Sequence, residues 1–170
     1  MRRALFLGLV LIVALGACGG GEKRNESKIQ DPFELIVPTL QPRTIIEGCT
    51  DIDIENWADL MLPNLQEFMD ESQAYVTQVE KASSDELRDT WNRLVALRDN
   101  MTTYPTPTCL ERQHDQVLNR LQSILEEYQK FGIGRSSVSD FQEGFNADMK
   151  GLEEQIDRLN IVMNELYTTN

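Results

Sequence analysis

The sequence is poor in the residue types from which many active sites and metal centres are built. Its 170 residues include one histidine and three cysteines. A di-iron carboxylate bundle needs its Glu-x-x-His motif twice, and a structural zinc set needs four Cys or His ligands. Nucleophile elbows, phosphate-binding loops and zinc-protease motifs are absent from the sequence as well. These shortages disfavour an enzyme and predict no metal site.

Positive charge is also scarce. Lys and Arg number 16 against 28 Asp and Glu, which gives a formal net charge of −12. So acidic a surface repels a phosphate backbone, and no basic cluster interleaved with aromatic residues offsets that repulsion. We therefore expect no nucleic-acid partner.

The N-terminal apolar run is too short to span a bilayer, which needs about 20 apolar residues. The run extends from Leu5 to Leu15, a stretch of 11 residues. Arg2 and Arg3 precede it. A basic start followed by an apolar core of this length is typical of a secretory signal peptide.

The end of this segment, Leu15-Gly16-Ala17-Cys18, resembles the lipobox of bacterial lipoproteins. The resemblance implies a signal peptide over residues 1–17 and palmitate-like acyl chains on Cys18, which becomes the mature N-terminus. It also implies a location on the extracytoplasmic side of a bacterial cell membrane or outer membrane. Two or three acyl chains hold a protein stably on a membrane, although an acidic body should stand off from anionic headgroups. Plain secretion and an uncleaved signal anchor are the alternatives.

Residues 18–48 are predicted to connect the lipid to the folded domain. The first part, 19–28, has almost no apolar residues and is typical of a flexible tether. The second part, 29–48, contains apolar residues but also three prolines, which preclude a long helix. We interpret the second part as an extended strap laid over the domain, with a disordered tether as the alternative.

Residues 49–170 form the predicted helical domain, and from Asp51 onward the periodicity is helical throughout. Apolar residues recur every three or four positions in four segments, near the 3.5-residue period typical of coiled coils. Ser83 and Glu86 have the spacing of a helix-capping box, and Pro105–Thr108 and Gly132–Gly134 separate the later segments. Short connections make consecutive helices antiparallel neighbours.

The sequence therefore predicts an all-α fold, an antiparallel up-down-up-down four-helix bundle. A long helical hairpin with flanking helices is the alternative. Pro63 lies inside the first segment and predicts either a kink or a short helix followed by a longer one. Gly144, Ala147 and Gly151 form a strip of small residues along the fourth segment, where another helix of the bundle can approach closely.

Cys49 and Cys109 are predicted to form a disulfide. Cys49 precedes the first helix and Cys109 lies near the start of the third, and in an up-down-up arrangement these two starts share one end of the bundle. An exported chain meets an oxidising environment, which favours the bond. Two buried thiols are the alternative.

His114 is the one candidate for chemistry inside the bundle. Glu111 and His114 form a single Glu-x-x-His turn, and His114 lies on the apolar stripe of the third helix with Leu110 and Val117. We predict a partly buried structural histidine rather than a metal ligand. A haem ligated by His114 and a methionine is an alternative, but each methionine also has a plain role as core filler.

These observations predict a non-enzymatic, lipid-anchored helical module of the bacterial cell envelope. It would act by contact with an envelope protein or as a scaffold, with no cofactor. The alternative is a carrier of a small ligand, metal or haem in the bundle core. A carrier would need an internal pocket of a few hundred Å³.

Replacing the lipobox cysteine tests the anchor. Cys18→Ser removes the sulfur that would receive the diacylglyceryl group, so we expect the variant to lose acyl-chain labelling and membrane partition. Metabolic labelling with a fatty acid, followed by membrane fractionation, measures both. Efficient labelling of the Ser variant would contradict the anchor.

Overall fold

The computed structural model describes residues 35–169, and this part of the chain is predominantly α-helical. It contains four long helices, which we number α1 (Asp51–Gln78), α2 (Ser84–Thr103), α3 (Glu111–Gly132) and α4 (Val138–Thr169). Each coincides with one of the four periodic segments, which confirms the all-α class and the number of helices. The predicted signal peptide, Cys18 and the predicted tether lie outside the described residues.

Capping boxes start the first two helices. The Ser83 hydroxyl accepts a hydrogen bond from the Glu86 amide, and the Glu86 carboxylate accepts one from the Ser83 amide at 2.7 Å. Thr50 and Asp53 make the same reciprocal pair at the start of α1. These bonds lower the pKa values of the Asp53 and Glu86 carboxyl groups. The Ser83 box was predicted from the sequence; the Thr50 box was not.

The first helix continues through Pro63 without a break. The expectation of a short helix followed by a longer one is therefore wrong, whereas the kink stays a prediction. An interior proline costs about 3 kcal/mol because it removes one backbone hydrogen bond and crowds the preceding turn. Buried residues on both sides, Met61 before it and Leu65 after it, anchor the helix in the same core and offset that cost.

The apolar stripes of all four helices meet in one core. Its centre is aromatic: Phe131 and Phe141 stack with ring centroids 4.7 Å apart, and the Tyr128 ring meets the Phe141 edge at 5.1 Å. The buried Tyr128 hydroxyl donates to the Ser72 carbonyl at 2.9 Å, which satisfies it far from water. Within residues 35–169, no helix has both the length and the apolar character needed to cross a membrane.

Contacts between α3 and α4 centre on two glycines of the small-residue strip. A Cβ on Gly144 would lie 2.6 Å from the Glu127 carboxylate, and a Cβ on Gly151 would lie 3.0 Å from the Arg120 guanidinium. An added side chain at either position would displace the end of the Glu127 or the Arg120 side chain. At Gly144 and Gly151 the strip thus accommodates long side chains of α3, while Ala147 is exposed.

Leu35, the first residue that the structure describes, is buried. Leu35 is 3% exposed and packs over Gly132 at the end of α3, where an added Cβ would lie 2.7 Å from the Leu35 side chain. The Gln129 side-chain amide donates to the Leu35 carbonyl. The described part of the predicted strap, residues 35–48, therefore starts in contact with the helices, and we use the word strap for this part below.

The other end of the strap forms a small parallel pairing. Ile45–Ile46 (β1) pairs with Thr106–Pro107 (β2), in the connection between α2 and α3, and a short 3₁₀ helix, Thr108–Leu110, follows. Sequence analysis did not predict this pairing. Two residues per strand are too few to generate a recognisable alternation of apolar and polar positions.

Leu35 and its neighbour Ile36 provide a matched test of strap packing. Leu35→Ala removes a buried side chain, so we expect a loss of about 2 to 3 kcal/mol in the free energy of unfolding. Ile36 is 68% exposed, and Ile36→Ala should leave stability within about 0.5 kcal/mol of wild type. Urea denaturation followed by circular dichroism measures both. Equal losses in the two variants would contradict the packing.

Candidate functional site

Cys49 and Cys109 bring three segments of the chain together. They lie at disulfide distance, with Cα atoms 5.9 Å apart across 60 residues of sequence. Cys49 ends the strap just before α1, and Cys109 lies in the 3₁₀ helix that leads into α3. The Thr108 hydroxyl also donates to the Gly48 carbonyl at 3.2 Å. We call this region the disulfide end of the molecule.

The imidazole of His114 lies completely buried beside the disulfide end. The expectation of a partly buried histidine is wrong, since its side chain has no exposed area. The Trp57 indole of α1 packs against the ring, and Thr106 of β2, itself buried, approaches Nδ1 at 3.4 Å. The unpredicted β pairing thus supplies part of the cover over the histidine.

A hydrogen bond assigns the histidine tautomer. Trp57 Nε1 donates to His114 Nδ1 at 3.1 Å. Since the indole N–H can only donate, Nδ1 acts as the acceptor and the proton of the neutral ring lies on Nε2. Nε2 has no hydrogen-bond partner among the described residues. In the neutral ring, Nε2 is a donor and carries no lone pair for a metal.

Burial holds the histidine in its neutral form. Loss of hydration lowers the pKa of His114 to about 4; the nearby Arg43 guanidinium adds to this effect, and Asp115 opposes it. Arg43 lies 2.6 Å from an Asp115 carboxylate oxygen and 3.6 Å from Glu111. The carboxylate of the Glu-x-x-His turn therefore pairs with the strap arginine. It is not joined to His114 in a shared ligand site.

A second buried polar group, Arg98, lies on the core side of α2. It has no exposed side-chain area; its guanidinium donates to the Gln122 side chain of α3, and its Nε lies 2.7 Å from an Asp99 oxygen. Leu97 and Arg98 both lie near the helical spacing of the apolar stripe, and both are buried. Periodicity alone does not decide between two neighbouring positions, and it gives no sign that an arginine is fully buried.

Two grooves are open to the surface of the described chain. One, of about 670 Å³, lies beside the start of the strap and is lined by Ile36, Val37, Glu126, Gln129, Lys130, Ile133 and Arg135. The other, of about 600 Å³, follows one face of α1 near Pro63 and is lined partly by acidic side chains. Sequence analysis identified neither, because each depends on how the elements meet in three dimensions.

The structure describes some of the residues that the sequence singled out and leaves one of them outside its range. Cys49 and Cys109 come together, with His114 near them, while Cys18 lies outside the described residues. Over residues 35–169, no group of three or more His, Cys, Asp or Glu side chains is arranged to hold a metal ion. Comparisons with protein-family models, with curated proteins and with solved structures found no match to this chain.

The cysteine pairing is testable by mass. We expect protein isolated from the envelope to contain one intramolecular bond between Cys49 and Cys109, since their backbones already lie at bonding distance. Alkylation with and without prior reduction, followed by peptide mapping, measures this. Two free thiols, or a bridge between two chains, would contradict the pairing.

The buried histidine predicts a specific pH dependence. The unfolded chain binds a proton at His114 near its ordinary pKa of 6.5, whereas the folded chain binds it only near 4. As the pH falls from 6.5 to 4, the unfolded state binds more protons than the folded state. The free energy of unfolding therefore decreases by up to about 3 kcal/mol, and this decrease is complete below pH 4.

The His114→Gln variant isolates this effect from the carboxyl groups. The substitution removes the His114 Nδ1 acceptor of the hydrogen bond from Trp57, so it should lower the free energy of unfolding by about 1 to 2 kcal/mol at pH 7. Because glutamine does not titrate, the variant should become at least as stable as wild type near pH 4. Urea unfolding of both proteins across this pH range measures the difference. A stability difference independent of pH would contradict the buried neutral histidine.

Proposed function

We propose that the protein is a non-enzymatic, lipid-anchored helical module of the bacterial cell envelope that acts by protein contact or as a scaffold. The observation that carries the proposal is that the few reactive side chains of the described chain are in contact with one another or with core residues. Cys49 and Cys109 lie together, and His114 Nδ1 accepts from Trp57. Structural roles account for these groups, which leaves the surface as the part of the domain available for function.

We also propose that the four helices form an antiparallel up-down-up-down bundle. Pairs along α3 and α4 run in opposite chain directions: Gly144 meets Glu127, whereas Gly151, further along α4, meets Arg120, which comes earlier in α3. The proximity of Cys49 and Cys109 supports the same arrangement, because it joins the starts of α1 and α3.

Lipid anchoring rests on the lipobox resemblance at Cys18 and agrees with the path of the strap. The strap lies along the helices from Leu35, in contact with the end of α3, to Arg43, which pairs with Asp115 near the start of α3. The described chain therefore begins at the end of the domain where α3 ends. An anchor at Cys18 would hold that end toward the membrane.

The second candidate, a carrier of a metal or haem, is favoured by one observation. His114 Nε2 is buried without a partner among the described residues. In a carrier the tautomer would change and Nε2 would bind the ligand, at the expense of the hydrogen bond from Trp57. The absorption spectrum and metal content of the purified protein distinguish this candidate.

Affinity capture of the lipidated protein from its own envelope tests the leading proposal. We expect one envelope protein to co-purify in a fixed ratio after mild cross-linking. The His114→Gln variant is the matched control, because it alters the interior and leaves the surface unchanged; it should retain the partner. Stoichiometric iron, zinc or haem that disappears in His114→Gln would instead establish the carrier.

A further inference from the structure

The first helix differs from the other three in the charges that it carries. It contains seven Asp and Glu residues and no Lys or Arg, whereas each of the other three helices contains two or three Lys or Arg residues. Opposite charges at neighbouring positions stabilise an exposed helix. The unmixed negative charge of α1 is therefore a property of its surface that helix formation does not require.

Apolar residues lie on the side of α1 that faces away from the core. Ile52 is 58% exposed and Leu60 is 44% exposed. Pro63 and Ala74, further along the helix, are exposed as well. Their spacings are close to whole turns of an α-helix, so the four side chains share one side of it. We call the exposed surface of these four residues, together with Glu67 and Asp70 between Pro63 and Ala74, the outer face of α1.

A groove of about 600 Å³ follows the outer face and is acidic. Glu67, Asp70 and Glu71 line it, and none of its described lining residues is a Lys or Arg. Glu71, at the edge nearest α2, pairs with Arg93 at 3.0 Å. The Asp70 carboxylate accepts from the neutral Gln66 amide at 2.9 Å, which leaves its charge uncompensated. The groove therefore combines an apolar surface with carboxylates that a cation can approach.

Pro63 adds a hydrogen-bond acceptor to the outer face. In a regular helix the carbonyl of Asp59 would accept from the amide four residues later. Pro63 occupies that position and has no N–H to donate. The Asp59 carbonyl can therefore accept a hydrogen bond from a group outside the helix, and the Asp59 side chain beside it is exposed.

The negative charge of α1 also affects the neighbouring helix. The pKa of the Tyr167 hydroxyl of α4 is raised by loss of hydration and by three carboxylates of α1, those of Glu55, Asp51 and Asp59. The negative potential thus extends beyond the groove toward the start of α1.

We propose that the outer face of α1 binds a cationic amphipathic segment of another envelope protein. Apolar side chains of that segment would pack on Leu60 and Pro63, and its Lys or Arg side chains would pair with Glu67 and Asp70. This proposal rests on the proposed function as a protein-contact module and adds the chemistry of the partner. A face that carries exposed apolar residues beside carboxylates is complementary to a segment that carries apolar residues beside cations.

Other occupants fit the outer face less well. Its carboxylates would repel an anionic lipid surface. A two-fold dimer of this chain would place the same patch of both copies in contact, because such an interface uses one surface twice. Glu67 and Asp70 of one copy would then approach the same carboxylates of the other.

Site-specific cross-linking in the envelope tests the proposal. A photoreactive phenylalanine analogue replaces Leu60 in the lipidated full-length protein. The same analogue in place of Ile161 of α4, a position that is 56% exposed, is the matched control. After illumination, peptide mapping identifies the attached protein and the attached segment. We expect the analogue at position 60, and not at position 161, to cross-link to another protein at a segment of net positive charge.

Charge reversal tests the role of the groove carboxylates. Glu67→Lys combined with Asp70→Lys should lower the cross-linking yield from position 60 about tenfold, because two attractive contacts become repulsive. Glu143→Lys combined with Glu154→Lys, at exposed positions of α4, changes the net charge equally. This control should leave the yield within about twofold of wild type, because salt screens exposed charges outside the contact. Circular dichroism checks that both variants are folded.

Other results would overturn the proposal in distinguishable ways. Equal losses in the two charge-reversed proteins would show that the net charge alone attracts the partner. A cross-linked segment without net positive charge would overturn the proposed chemistry. Cross-links from position 60 to lipid, to a second copy, or to residues 22–28 of the same chain, which include Lys23, Arg24 and Lys28, would assign the face to that occupant instead.

Affinity capture separates failure of this proposal from failure of the proposed function. If capture recovers one envelope protein in a fixed ratio but position 60 gives no cross-link to it, the protein-contact function stands and the outer face of α1 is not the contact. If wild type yields neither a captured protein nor a cross-link, the proposed function fails, and docking on this face fails with it.

Discussion

The contact between Cys49 and Cys109 determines how the other segments can be arranged. It joins the end of the strap, the start of α1 and the approach to α3 at one place. A bond closing a loop of this length contributes on the order of 4 kcal/mol by restricting the unfolded chain. With these starts held together, Trp57 and His114 meet across the core, and Arg43 reaches the first turns of α3. The burial of the only imidazole thus follows from the way the chain is closed at this end.

Much of the helical architecture was predictable because it depends on local chemistry. Ser83 and Glu86 satisfy the first amides of α2 within four consecutive residues. Apolar spacing locates the core faces, because one face of each helix must be buried. The proximity of Cys49 and Cys109 was also predictable, since the predicted up-down-up arrangement places the starts of the first and third helices at one end. Pro63 was misjudged in part, because packing on both sides of it is not visible from one residue.

The remaining features depend on contacts that a sequence pattern does not encode. The β pairing joins Ile45 to Thr106 across the molecule through two residues on each side. Complete burial of His114 depends on that pairing, so periodicity could place the residue on the core face but not determine its depth. Arg98 is similar: its spacing allows a core position, but the contacts with Asp99 and Gln122 that accommodate it inside are not visible in the sequence. The groove beside the start of the strap forms only where Ile36 and Val37 meet the end of α3.

The path of the strap has a mechanical consequence for a domain held by its N-terminus. A pull on the chain before Leu35 is transmitted along the strap, whose two-residue parallel pairing with Thr106–Pro107 lies just before Cys49. In such a pairing a force along the strand loads the hydrogen bonds together, in shear. A disulfide between Cys49 and Cys109 would then transfer the remaining tension to the start of α3 and spare the first turn of α1. The contact that brings these segments together would thus also let the domain resist extension from its N-terminal side.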